Sequence, residues 1–169
     1  MTVTLRPMTE ADVERLITED RRAVQTGDAS SGGFRNTVRL RAQFAENGFL
    51  TPEISRLTVL ADGEPVGMVS WRSEQSAIDI GIRLWPEHRG RGHGTEAQRL
   101  LVEYLFAVTP VHRVQAGTLD DNFAEQRALE KAGFRRDGVI RGSWFVQGRW
   151  RDCVIYSRLR TDAETAADG

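Results

Sequence analysis

A single mixed α/β domain is the fold class this sequence predicts, on three observations. Short β-rich runs alternate with amphipathic helical stretches along the chain. No stretch reads as a linker, and no segment repeats. The 169 residues suit one domain with a sizeable core.

The elements follow in order. "TVTLRP" alternates apolar and polar residues and stops at Pro7, which suits a first strand. Thr9 precedes "EADVERLITED" with Asp12 three residues on, a variant of the capping box. Val13, Leu16, Ile17 and Val24 continue an apolar stripe at helical spacing. "TGDASSGG", residues 26–33, is a turn-rich break read as mobile. Residues 34–50 read as a weak helix ending near Asn47-Gly48. "RLTVLADGEPVGMVSWR" is a hairpin turning on Asp62-Gly63.

"AIDIGIRLW" is the next strand, closed by Pro86. A glycine run leads into a helix with Ala97, Leu100, Leu101, Tyr104 and Leu105 on one face. "HRVQAGTL" is a further strand. Asn122 with Glu125 caps the helix "FAEQRALEKA", which Gly133 ends. "FRRDGVIRG" and "RDCVIYSRLR" are late strands joined across "SWFVQGRW", and "TDAETAADG" reads as a solvated tail.

Composition narrows the classes of function. At 40% hydrophobic and 28% charged residues the chain is ordinary globular protein. A net charge of −1 and no clear basic face argue against nucleic acid as a partner, and nothing points to a membrane surface. Cys153 is the only cysteine, which excludes a disulfide framework and a zinc cluster, so no metal is expected. No apolar run resembles a signal peptide or a membrane span, so the expected location is the cytoplasm.

The stretch "HRGRGHGTEA", residues 88–97, carries the chemistry. It stands between a strand and an amphipathic helix, where a first helical turn offers unpaired N–H groups and the positive end of the dipole. Glycines admit a ligand close to the backbone, and Arg89 or Arg91 can add charge-assisted bonds to phosphate. Two familiar nucleotide motifs fail. A P-loop needs Gly-Lys-Ser/Thr where this chain has Gly94-Thr95-Glu96, and a dinucleotide fingerprint needs glycine where Thr95 stands. An anion site and a plain flexible loop both remain open on the run alone.

With its surroundings the run resembles a known family. Arg89-Gly90-Arg91-Gly92-His93-Gly94 is similar to the Arg/Gln-x-x-Gly-x-Gly/Ala signature of the GNAT superfamily, the acyl-CoA-dependent N-acetyltransferases. "IDIGIRLWPEHRGRGHGTEA" resembles that family's central strand, proline and pyrophosphate loop. "DDNFAEQRALEKAGFRRDGVIRG" resembles its Asn-then-Glu-Lys-x-Gly-Phe helix. "GRWRDCVIYSRLR" resembles the closing strand of the branch that includes ribosomal-protein N-terminal acetyltransferases. The likeness is close over residues 57–160 and loose over the N-terminal third.

The resemblance implies a GNAT fold, one domain over 1–160 with a tail at 161–169. Its central sheet would be mostly antiparallel, splayed and flanked by helices. Acetyl-CoA would wedge between the strand of residues 77–84 and that of 111–118. Its diphosphate would rest on backbone N–H groups of Arg89, Gly90, Arg91, Gly92, His93, Gly94 and Thr95. Its pantetheine arm would pair with Ile82, Arg83 and Leu84, with Asn122 as a further contact.

Acetyl transfer needs a base for the amine, a donor for the oxyanion and an acid for the thiolate. The resemblance places Asp79 as the base, against a reading as a solvated strand carboxylate; Glu87 and His88 are weaker candidates. The oxyanion donor it implies is a backbone N–H near Ile82. The family's usual acid is a tyrosine, and Leu129 stands in its place. Glu125 can serve instead, although the capping box is the preferred account of it. Water is the third option, since a thiol with a pKa near 8.5 leaves without an enzymatic acid.

Trp71, Trp85, Trp144 and Trp150 read as core or rim, and Cys153 as a packed thiol. Arg35, Arg39 and Arg41 hint at an anionic group on the acceptor, and exposed helix charge explains them more simply. The acceptor is expected to be a small-molecule amine or a protein N-terminus, which the sequence does not decide. The branch resemblance implies a homodimer. A non-catalytic acyl-CoA-binding module on the same fold is the alternative function.

Overall fold

The computed structural model describes residues 1–26 and 34–162. The predicted break at 26–33 and the predicted tail at 161–169 thus lie largely outside the described residues. Thr26 ends a helix, and Thr161 and Asp162 complete a helical turn.

Among the described residues, seven strands and four helices follow one another in the expected order. They are β1 (Val3–Pro7), α1 (Glu10–Thr26), α2 (Thr37–Asn47), β2 (Ser55–Ala61), β3 (Glu64–Ser73) and β4 (Ile78–Leu84). After these come α3 (His93–Val108), β5 (Arg113–Leu119), α4 (Phe123–Lys131), β6 (Arg135–Val146) and β7 (Arg149–Leu159). They build one seven-stranded sheet in the order β1-β2-β3-β4-β5-β7-β6. Only β4 and β5 run parallel.

Strand alternation divides the sheet into two faces. One bears Leu57, Val59, Val69, Ile78, Ile80, Val114, Ala116, Val154 and Tyr156, which pack with Leu101, Leu105 and Leu129 of α3 and α4. The other carries Met68 and polar residues, and there Met8, Leu16, Leu40, Phe49 and Trp85 form a smaller core under α1 and α2. Trp85 is therefore core, whereas Trp150 and Phe145 lie exposed on the β6–β7 hairpin, stacked edge to face.

Local signals were decisive where they were complete. Asp62 and Gly63 both take positive φ, 50° and 88°, as a two-residue hairpin of that type requires. Asn36 caps α2 by accepting from the Arg39 N–H at 3.0 Å, and Gly48 closes it in the left-handed region. The expected loop "SWFVQGRW" is instead mostly strand. β6 and β7 run through it to a turn at Gln147-Gly148, with Trp144 paired to Arg151 and Phe145 to Trp150.

Candidate active site

The site begins where the parallel pair comes apart. β4 and β5 pair only at Ile78 with Val114 and Asp79 with Gln115, and beyond these two rungs they diverge. The direction of the backbone groups in the gap follows from β3. Trp85 N–H donates to Val66 C=O at 2.9 Å, which makes that pair a hydrogen-bonded one. Alternation then makes Arg83–Met68 and Gly81–Ser70 hydrogen-bonded pairs as well. Leu84 and Ile82 fall between them and turn their N–H and C=O groups into the gap. Gly67 lets β3 come this close, since a Cβ there would lie 2.2 Å from the Arg83 carbonyl oxygen.

At the open end of the gap stands the glycine run. A short 3₁₀ turn over Pro86–His88 follows β4, and the Arg89 side chain folds back to donate to the Leu84 carbonyl at 3.2 Å. Gly90 and Gly92 take φ of 72° and 84°, with nothing within 4 Å of a Cβ built at Gly90. Gly92 caps α3 without any side-chain bond, and the first N–H to find a helical acceptor is that of Glu96, at 3.3 Å. The N–H groups of His93, Gly94 and Thr95 precede that first bond, at the positive end of a 16-residue helix. Such a cradle fits a diphosphate, and the gap beside it fits an extended arm. The ring of His93 is buried 6.3 Å from that of His88, and its Nδ1 has no partner among the described residues.

A cleft of about 1420 Å³ runs along this line, bounded by β4, the glycine loop and α4. Asn122 caps α4 as expected, accepting from the Glu125 N–H at 3.3 Å. The other half of the expected capping box is not made. The Asn122 N–H bonds to Leu119 C=O, and the Glu125 carboxylate accepts from Gln98 Nε2 of α3 at 2.5 Å. The preferred reading of Glu125 as a cap is corrected here: its side chain leaves the helix end for the α3–α4 seam. Burial pushes this carboxyl up to about 7, which the bond from Gln98 only partly offsets. Leu129 is fully buried core. Of the two tyrosines, Tyr156 is buried and donates to Glu130 at 3.0 Å, while Tyr104 packs on Trp71. Neither lines the cleft.

Asp79 stands on the opposite face, at the last paired rung. Burial raises its pKa against the pull of Arg72, whose guanidinium reaches the carboxylate at 3.0 Å. It does not line the cleft. Glu87 is exposed and paired with Arg15 at 2.5 Å. Cys153, on the same face as Asp79, is buried and its thiol is pushed up by burial. The two glycines that floor this face went unnoticed in the sequence. Extending the β4–β5 register by two residues sets Gly81 across from Gly117, where the strands no longer pair. Arg127 and Lys131, one helical turn apart on the cleft wall, also escaped notice.

A parallel pair that opens after two rungs, with a glycine-lined helix start at its mouth, defines an acyl-CoA-type transferase scaffold. The chain belongs to the GNAT acetyltransferase domain family, which matches residues 2–135. It is 40% identical over 108 residues to the probable N-acetyltransferase YjcK of Bacillus subtilis, covering 62% of this chain and 60% of that relative's length. Among solved structures it superposes on spermidine N-acetyltransferase from Vibrio cholerae, in complex with CoA and spermine, with a TM-score of 0.81. That likeness covers 95% of this chain and 96% of the other at 18% identity. RimL, a ribosomal L7/L12 α-N-protein acetyltransferase in complex with coenzyme A, matches with a TM-score of 0.80 at 18% identity over 94% of each chain. Among the described residues, no helix is long and apolar enough to cross a membrane, and no group of three or more His, Cys, Asp or Glu could hold a metal ion.

Proposed function

We propose that this protein is an acetyl-CoA-dependent N-acetyltransferase acting on a primary amine, by direct attack within a ternary complex. The observation that carries the reading is the gap between β4 and β5 opening onto the glycine-capped start of α3. Bound acetyl-CoA would supply the activated thioester. The N–H groups from Arg89 to Thr95 hold its diphosphate, and the turned-out backbone of Ile82 and Leu84 aligns its arm.

The roles divide between the faces of the sheet. Asp79 takes the ammonium proton, directly or through water, and leaves the amine free to attack. The Ile82 N–H donates to the developing oxyanion, a contact typically worth about 3 kcal/mol. Glu125, protonated near neutral pH, returns a proton to the departing thiolate. Two carboxyls raised by burial on opposite sides of one gap suit a base and an acid. The acceptor class is a small-molecule amine or a protein N-terminus, as in the named relatives. A homodimer and a cytoplasmic location complete the proposal. The binding-module alternative finds no support among these relatives.

Calorimetric titration with acetyl-CoA, followed by thiol release with a panel of amines, tests the reading. Binding followed by saturable transfer is the expected result. Gly94→Glu puts an anion at the mouth of the site, where a Cβ makes ordinary contacts with Leu84 Cδ1 at 3.5 Å and Ile82 Cδ1 at 3.7 Å, so the fold tolerates it. Binding unchanged in that variant would remove the glycine run from the site.

A further inference from the structure

On the face of the sheet opposite α3, one transverse row of residues leads away from the gap. Gly81 of β4 pairs with Ser70 of β3, and Ser70 pairs with Arg56 of β2. Paired residues point to the same face, so Arg56, Ser70 and the bare backbone of Gly81 lie side by side under the cleft. Two strand spacings, roughly 10 Å, separate the Cα atoms of Arg56 and Gly81. The long arginine side chain covers much of that distance.

The state of Arg56 is unusual among the arginines of this chain. Its guanidinium lies over the ring of Phe49, 4.7 Å from the centroid. No carboxylate and no hydrogen-bond acceptor meets it among the described residues, although it lines the cleft and is half-buried. Its neighbours are already committed. Asp20 pairs with both Arg83 and Arg35, the latter at 3.4 Å, and Glu19 with Arg15 at 2.9 Å and Arg22 at 4.0 Å. Among the described residues at this end of the cleft, the guanidiniums of Arg35, Arg56 and Arg83 stand near the single carboxylate of Asp20, which is already paired with Arg35 and Arg83. Burial and the nearby Arg35 push the Arg56 pKa down, as expected of a cation awaiting a counter-charge.

We propose that Arg56 binds an oxyanion carried by the acceptor, so that the preferred substrate is an amine bearing a carboxylate or phosphate a few bonds from its nitrogen. The inference rests on the N-acetyltransferase reading above and adds the substrate class to it. A zwitterionic acceptor matches the floor of the site, with its ammonium toward Asp79 and the gap and its anion toward Arg56. The planar fork of a guanidinium held over a ring suits a carboxylate or phosphate, and it opposes a polycation.

Matched acceptors decide the matter. β-Alanine and glycylglutamate are compared with their carboxamides, O-phosphoethanolamine with ethanolamine, and spermidine serves as the polycation. The expected result is that the anionic member of at least one pair has the lower KM by about tenfold or more. Whichever pair discriminates identifies carboxylate or phosphate as the anion. In Arg56→Gln the ratio falls toward one through the KM of the anionic member, while Arg56→Lys keeps part of it. The KM for acetyl-CoA and the Tm stay as in the wild type. Equal KM values within all pairs, or a ratio unmoved by Arg56→Gln, overturns the proposal. Titration of the same pairs without acetyl-CoA reads the site independently of turnover. Anion-selective binding lost in Arg56→Gln, with no transfer to any amine, would remove the transferase reading and keep the anion site.

Discussion

The amide of Gln98 donates through Nε2 to Glu125 Oε1 at 2.5 Å, joining the second turn of α3 to the first turn of α4. Gln98 is fully buried, and its own Oε1 has no partner among the described residues. The pair thus has one acceptor to spare. A proton on Glu125 relieves the burial of a charge, and it is the form that an acid must hold.

This predicts how activity depends on pH. With its pKa raised to about 7, Glu125 is largely protonated at pH 6 and largely ionised at pH 8.5. Glu125→Gln should lower kcat about 100-fold at pH 6. The ratio of wild-type to variant kcat should shrink above pH 7, as the acid empties and a thiol with a pKa near 8.5 departs unaided. The ratio, unlike either profile, cancels the ionisation of the amine. A pH-independent ratio would reduce Glu125 to a structural role.

Stability gives a second reading of the same group. The folded-state pKa lies above the ordinary value of 4.5, so the folded protein binds this proton more tightly than the unfolded chain. Its stabilising contribution is complete below about pH 4.5 and is lost as pH rises through about 7. Glu125→Gln should therefore gain Tm relative to the wild type at pH 8, with little gain at pH 4.5. Thermal unfolding across that range measures it, and a constant difference would contradict the assignment.

The two capping boxes show what sequence can and cannot carry. Thr9 and Asp12 make theirs in full: the Thr9 N–H donates to Asp12 Oδ2 at 2.8 Å and the Asp12 N–H to Thr9 Oγ1 at 3.4 Å. Asn122 and Glu125 have the same spacing, yet a buried glutamine 27 residues away takes the carboxylate. Spacing specifies local partners, and tertiary packing then competes for them. The strands, the hairpin turn at Asp62-Gly63 and the glycine loop were legible because each is built from neighbours in sequence. The Arg56–Ser70–Gly81 row was not, because it exists only through cross-strand register. Arg56 carries no mark of the proposed anion site in a β-rich run, and the correspondence of Gly117 with Gly81 emerges only by extending the parallel register past its last rung.

Asp79 offers a third test. If it accepts the ammonium proton, Asp79→Asn should lower kcat/KM by about 100-fold at pH 7. The defect should narrow toward pH 10, where an alkyl amine loses its proton to water. Its pairing with Arg72 at 3.0 Å predicts a partner effect. Removing that cation in Arg72→Ala should raise the Asp79 pKa further and move the acidic limb of the kcat/KM profile to higher pH. An unmoved limb would place the limb on another group.

Gly117 links the floor of the site to its stability. A Cβ there would lie 2.9 Å from Cys153 Sγ, 3.3 Å from Trp144 Cζ2 and 3.4 Å from Ile155 Cδ1. Cys153 is buried in a packed strand, so the sulfur has little room to withdraw. Gly117→Ala should destabilise the fold by about 1–3 kcal/mol through overpacking, read as a lower denaturant midpoint. Cys153→Ala alone should cost about 1 kcal/mol or more, by removing a packed sulfur. The double variant should be more stable than the sum of the two losses predicts, because the new methyl then occupies the space the sulfur left. Strict additivity would show that the strain at Gly117 arises from Trp144 or Ile155 instead.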